Sequence, residues 1–142
     1  MSTGPAIAVA VTFVWLGMVL AISFLEAPLK FRAPNVTLQI GLGIGRLVFR
    51  ALNTVEVGFA LVILAIVVAG PPTRARIAVA FFVAFAALAI QLIAVRPRLT
   101  RRSDNVLAGS TAPRSRGHYA YVGLEVVKVV GLAVAGILLL TA

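Results

Sequence analysis

The residues able to do chemistry are few enough to follow one by one, for the 142-residue chain holds only four acids, one histidine and no cysteine. Near the C-terminus His118, Tyr121, Glu125 and Lys128 stand at offsets of three, seven and ten, which puts all four on one face of a helix. Glu125 and Lys128 lie inside an otherwise apolar run. Counted from residue 119 at about 1.5 Å per residue, Lys128 is roughly 13 Å deep, near the middle of a bilayer, and Glu125 is about one turn shallower. An ionisable group at that depth faces protein or water by default. In an earlier run Arg46, Arg50 and Asn53 share a face, with Glu56 at its edge. In the first run Thr12, Ser23, Glu26 and Lys30 fall within a narrow sector at about 100° per residue.

Glu26, Arg50, Asn53, Glu56, His118, Tyr121, Glu125 and Lys128 are therefore the candidate binding or proton-relay residues, expected to converge on one polar cavity. Carboxylates and an imidazole can ligate a cation or carry protons. The nearby cations oppose a tight metal site and the spacing fits no standard metal motif, whereas a proton relay needs fewer coincidences. A purely architectural reading pairs Glu26 with Lys30, Glu125 with Lys128, and Arg46 or Arg50 with Glu56, as interhelical ties of about 1 kcal/mol each. No residue is assigned a catalytic role and no cofactor is expected. Without cysteine there is no disulfide, thiol redox chemistry or thiolate metal site, and one histidine cannot supply paired haem ligation.

The elements that must position these residues are set by composition. With 61% of positions hydrophobic and 12% charged, so small a chain cannot hide its apolar surface in a soluble core. Crossing an apolar slab of about 30 Å takes about 20 helical residues, and four runs qualify: 6–25, 51–69, 77–95 and 119–140. The first is read as retained, because no Lys or Arg precedes it as in a secretory signal. The net charge of +9 suggests nucleic acid, but the basic residues sit between apolar runs rather than on a water-soluble face. They report topology instead. Lys and Arg number ten in the first and third connections and two, Arg74 and Arg76, in the second. Positive residues stay in the cytoplasm, so both termini are expected outside, with a short extracytoplasmic loop between the second and third spans.

Two connecting segments carry their own expectations. Over 36–45 apolar residues alternate with Thr37, Gln39, Gly41, Gly43 and Gly45. Period two suggests a strand, but a lone strand in lipid leaves its backbone unpaired, so 36–50 is expected to be a glycine-rich helical lead-in or a short re-entrant segment. Gly41 and Gly45 would permit close contact, as would the Ala80, Ala84 and Ala87 face of the third span. The basic segment 96–118 is expected to be a polar cytoplasmic loop whose arginines meet anionic lipid headgroups. Pro28, Pro34, Pro71, Pro72, Pro97 and Pro113 are expected to punctuate helices, Trp15 to pack, and Phe81, Phe82 and Phe85 to face lipid or fill the core.

Several motifs resemble a known family. Trp15-Leu16-Gly17 followed by Ala27-Pro28-Leu29-Lys30-Phe31-Arg32, the Gly41-to-Phe49 stretch with its four-residue glycine spacing, Arg96-Pro97-Arg98, and His118 are similar in order and spacing to the small four-helix membrane domain typified by transmembrane protein 205. Glu26 and Glu125 depart from that pattern. The resemblance implies a four-helix membrane domain with no agreed activity, some animal members being linked to metal-drug resistance and trafficking. Arg50, Asn53 and Glu56 are also similar to a motif of the membrane-associated eicosanoid and glutathione proteins, which implies glutathione binding. The arginine-to-asparagine spacing is one short, however, and the last span lacks their arginine-tyrosine pair. The expectation is one all-α integral membrane four-helix bundle in a bacterial cytoplasmic (inner) membrane, handling protons, cations or a small solute. Its expected partners are the bilayer and a second copy or another membrane subunit; the alternatives are an accessory subunit or a glutathione-dependent transferase.

Overall fold

The computed structural model describes residues 1–107 and 116–142, with the backbone alone for residues 98, 102, 103, 106, 107 and 116–118. The described residues are helical almost throughout and contain no strand. Among the described residues four helices are long and apolar enough to cross a membrane: Thr3–Arg32, Leu38–Ala69, Ala75–Val95 and Tyr119–Thr141. They are called the first to fourth helices below.

Local chemistry sets the connections. Ala33 precedes Pro34, whose ring disfavours helical backbone before it, and Ala33 is extended at ψ 141°. Asn35 then takes φ 66°, a left-handed value that asparagine tolerates. Thr37 caps the second helix, its hydroxyl accepting the backbone N–H of Ile40 at 3.2 Å. That helix runs unbroken from Leu38 to Ala69, so the glycine-rich residues 38–50 are helical and continuous with the span that follows. It stops at Gly70, before Pro71 and Pro72, neither of which can donate to a continuing helix.

Two prolines behave differently from expectation. Pro28 and Pro97 lie inside continuous helices rather than at their ends. Each follows a stretch of wider π-helix, Leu20–Glu26 in the first helix and Gln91–Val95 in the third. The backbone N–H just before each proline reaches back five residues, Ala27 to Ile22 and Arg96 to Gln91. Proline lacks an N–H and crowds the carbonyl four residues back; a wide turn absorbs that misfit without ending the helix. The third helix accordingly continues through Arg96–Leu107, so the first part of the segment expected to be a loop is helical.

Successive helices are neighbours, and the fourth closes the ring against the first and third. At about 1.5 Å per residue the second helix is about 48 Å long, more than the roughly 30 Å of hydrocarbon. The first helix, at about 45 Å, likewise exceeds it. The excess lies at the end of the bundle that holds Lys30, Arg46 and Arg96.

The surface is the reverse of a water-soluble protein's. Leu61, Val68, Val79, Phe82, Ile93 and Ile137 face outward, while Glu56, Gln91, Glu125 and Lys128 are buried. One half of the interior is apolar. Trp15 stacks on Phe85 with centroids 6.0 Å apart, and Phe81 is buried beside Phe85. Ala80 and Ala84 pack against Gly131, where a Cβ would come within 3.1 Å of the Ala80 carbonyl oxygen. The small-residue face expected on the third span is thus a close helix contact.

Candidate functional site

The other half of the interior is polar, and Lys128 is at its centre. Its ammonium lies 2.6 Å from Oε2 of Glu56, 2.8 Å from Oε1 of Gln91, and against Oε1 of Glu125 one turn earlier on its own helix. An ammonium has three donors and all three are engaged. Second, third and fourth helices are joined at this one nitrogen. The first helix joins through Trp15, whose indole N–H donates to the same Glu56 oxygen at 2.8 Å. Gln91 is held in orientation by its amide nitrogen, which donates to Glu125 Oε1 at 2.7 Å and to the Tyr121 carbonyl at 3.3 Å. The Ser23 hydroxyl donates to the other Glu125 oxygen.

The π-helices help to aim these groups. Gln91 opens one and Ser23 lies within the other, so each polar side chain issues from a locally widened helix. Asn53 is a peripheral member: its side-chain oxygen accepts the Tyr121 hydroxyl at 3.3 Å, long for such a donor, and its amide nitrogen has no partner. The second oxygen of Glu56 is also buried without a donor.

No protein-family model, curated protein or solved structure matches this chain.

Of the eight sequence candidates, Glu56, Glu125, Lys128 and Tyr121 come together, with Asn53 at the edge. Arg50 is exposed and does not join them, so Arg50, Asn53 and Glu56 are not brought together. Glu26 is apart too, facing Lys30 at 3.8 Å on its own helix. The His118 side chain lies outside the described residues. The pairing of Glu56 with Arg46 or Arg50 is incorrect, because Lys128 takes that carboxylate and Arg46 pairs with Asp104 at 2.5 Å. About 120° of helix rotation separates exposed Arg50 from buried Glu56, while a lysine from the facing helix meets the carboxylate directly.

Sequence reasoning missed three members. Gln91 was visible as the one polar residue of its span, Ser23 belonged to the polar sector of the first span, and Trp15 has a polar edge that seeks a partner when buried. No group of three or more metal-binding side chains occurs among the described residues.

Above this centre a cavity of about 390 Å³ opens toward the basic end of the bundle. Its floor is Ser23, Tyr121 and Glu125; Lys30, Arg46 and Arg96 stand farther out. Glu125 thus has one face in the ion-pair centre and one on the cavity. The glycine-rich lead-in shapes the wall. The Phe31 ring lies where a Cβ on Gly41 would be, and the Lys30 ammonium is 2.7 Å from a Cβ placed on Gly45. Lys30 also sits 5.6 Å above Phe31 and 5.8 Å above Phe49.

Proposed function

We propose that this is a multi-pass membrane protein that binds and releases a proton at the Glu56–Lys128–Glu125 centre, with access through the cavity on its basic side. The observation that carries the reading is the charge inventory. Two carboxylates and one ammonium are buried together, leaving one negative charge, and one oxygen of Glu56 has no donor. An uncompensated charge costs several kcal/mol in a low-dielectric interior, and a proton removes that cost without further ligands. Glu125, at the cavity floor, is the group that a proton from water meets first. Lys128 can then donate a proton to Glu56 and regain one from protonated Glu125, leaving the total charge unchanged in each hand-over.

The orientation belongs to the same proposal: termini outside and the basic cavity end in the cytoplasm of a bacterial cell, as the ten-to-two distribution of Lys and Arg supports. Membership of the transmembrane protein 205-like family is likewise proposed. Two motifs behind that resemblance form one structural unit here, Lys30 and Phe31 seated on Gly45 and Gly41.

An accessory or structural role is the second reading, favoured by the complete engagement of the Lys128 donors, which ties three helices at one atom. Two measurements separate the readings. Infrared difference spectra across a pH titration should show a protonated-carboxyl band that is lost in Glu56→Gln or Glu125→Gln; its absence removes the proton centre. Proton flux into vesicles containing the reconstituted chain should fall in Glu125→Gln, and equal flux in both, or none in either, removes transport.

A further inference from the structure

We infer that the cavity between the basic ends of the helices binds a single-chain amphiphile with an anionic head, a carboxylate or a phosphate monoester, and that Arg96 is the principal contact for that head. The inference stands on the cavity and its charges, independently of any proton exchange below it.

The chain has four acids, and each has a place. Glu56 and Glu125 hold Lys128, Glu26 faces Lys30, and Asp104 holds Arg46. Among the described residues no carboxylate lies within ion-pair distance of Arg96, which lines the cavity part-buried and gives one N–H to the Phe49 carbonyl at 3.2 Å. A guanidinium has five donors in a planar fork matched to carboxylate and phosphate oxygens. Lys30 adds a second cation, since 3.8 Å to Glu26 is too long for a hydrogen bond. Arg46 adds a third, already neutralised by Asp104 but on the same wall. Glu125 at the floor repels an anion, so the head belongs at the basic end.

The remaining wall is apolar. Phe24, Pro28, Leu42, Phe49, Leu99 and Val122 line it, and Phe24 and Val122 are also 40% exposed on the outer surface. Packing between the first and fourth helices is concentrated in Thr3–Val19, before the π-helix. The cavity therefore reaches the lipid-facing surface past Phe24 and Val122, giving an acyl tail a way out while its head stays on Arg96. Its volume suits a head and the start of one chain and is at the small end of ligand cavities.

The test uses the full chain in uncharged detergent. Trp15 is the sole tryptophan and lies about 12 Å along its helix from Ser23 on the cavity floor. A conjugated polyene fatty acid that absorbs tryptophan emission should quench it saturably. Palmitate or lysophosphatidate should displace the probe, and the tighter of the two names the head. Hexadecanol and inorganic phosphate should each be at least tenfold weaker. Arg96→Gln should weaken probe binding at least tenfold, and Ala27→Phe, which fills the cavity without altering charge, should do the same. Both variants are compared at matched helicity and elution volume. Hexadecanol as potent as palmitate, phosphate alone as potent as either amphiphile, or binding within twofold of wild type in folded Arg96→Gln or Ala27→Phe would overturn the inference.

Discussion

The ammonium of Lys128 lies 2.6 Å from a Glu56 oxygen that also accepts the indole N–H of Trp15 at 2.8 Å, so one carboxylate atom links three of the four helices. Removing the lysine leaves two buried carboxylates facing one another. Lys128→Met should therefore lower stability by about 3–5 kcal/mol, the usual cost of stranding a buried charge. Glu125→Gln keeps the Lys128–Glu56 pair and should be mild. The Glu125→Gln, Lys128→Met double variant, with Glu56 still unmatched, should fall between the two singles. Adding Glu56→Gln removes the last charge and should recover stability further. Thermal unfolding of the four variants in detergent checks the order; a double variant no more stable than Lys128→Met would mean that the charges are not coupled.

Half of this centre was legible in the sequence, and the physical reason is plain. Glu125 and Lys128 are three residues apart on one helix, and helical geometry brings such a pair together whatever the rest of the fold does. Glu56 needed the register of the second helix against the fourth, which face analysis alone does not supply. Trp15 was expected only to pack and Gln91 was not among the candidates, for the same reason. Continuous helices beyond Pro28 and Pro97 were hidden because a π-turn has no residue signature of its own, while proline ordinarily ends a helix.

Trp15→Phe separates packing from hydrogen bonding. Phenylalanine retains an aromatic ring against Phe85 but removes the donor to Glu56, whose other oxygen already lacks one. A loss of about 1.5–3 kcal/mol is expected, the worth of one hydrogen bond to a charged group, since the same oxygen keeps Lys128 as a donor. Combined with Glu56→Gln, the loss from Trp15→Phe should shrink to about 1 kcal/mol, because a hydrogen bond to a neutral amide is worth less than one to a carboxylate. Equal losses in both backgrounds would assign Trp15 to packing alone.

The lead-in contact predicts a rescue. A Cβ at Gly41 would sit 2.1 Å from the Phe31 ring, so Gly41→Ala must expel that ring from the cavity wall. The expected cost is about 1–3 kcal/mol. Phe31→Ala should cost stability on its own but make Gly41→Ala nearly neutral when the two are combined, a non-additivity that a double-mutant cycle reads directly. Additive losses would place the ring elsewhere.

Exposed pairs should matter far less. Arg46 and Asp104 approach to 2.5 Å, closer than Lys128 and Glu56, yet the Asp104 side chain is 56% exposed. Solvent and salt screen such a pair, so Asp104→Asn should change stability by less than about 1 kcal/mol, an effect that fades as salt is raised. A loss comparable to that of Lys128→Met would require Asp104 to act on the buried centre.

Glycines on the fourth helix give the sharpest contrast in packing. At Gly131 a Cβ meets backbone, 3.1 Å from the Ala80 oxygen and 3.3 Å from the Ala84 nitrogen, whereas at Gly123 nothing lies within 4 Å. Backbone cannot step aside as a side chain can, so Gly131→Val should push the third and fourth helices apart and cost about 1–3 kcal/mol or more. Gly123→Ala should instead be neutral or stabilise by about 0.5–1 kcal/mol, since alanine loses less conformational freedom on forming helix. Melting temperatures of the two variants should move in opposite directions or differ by several degrees, and equal shifts would show that the third and fourth helices do not meet at Gly131.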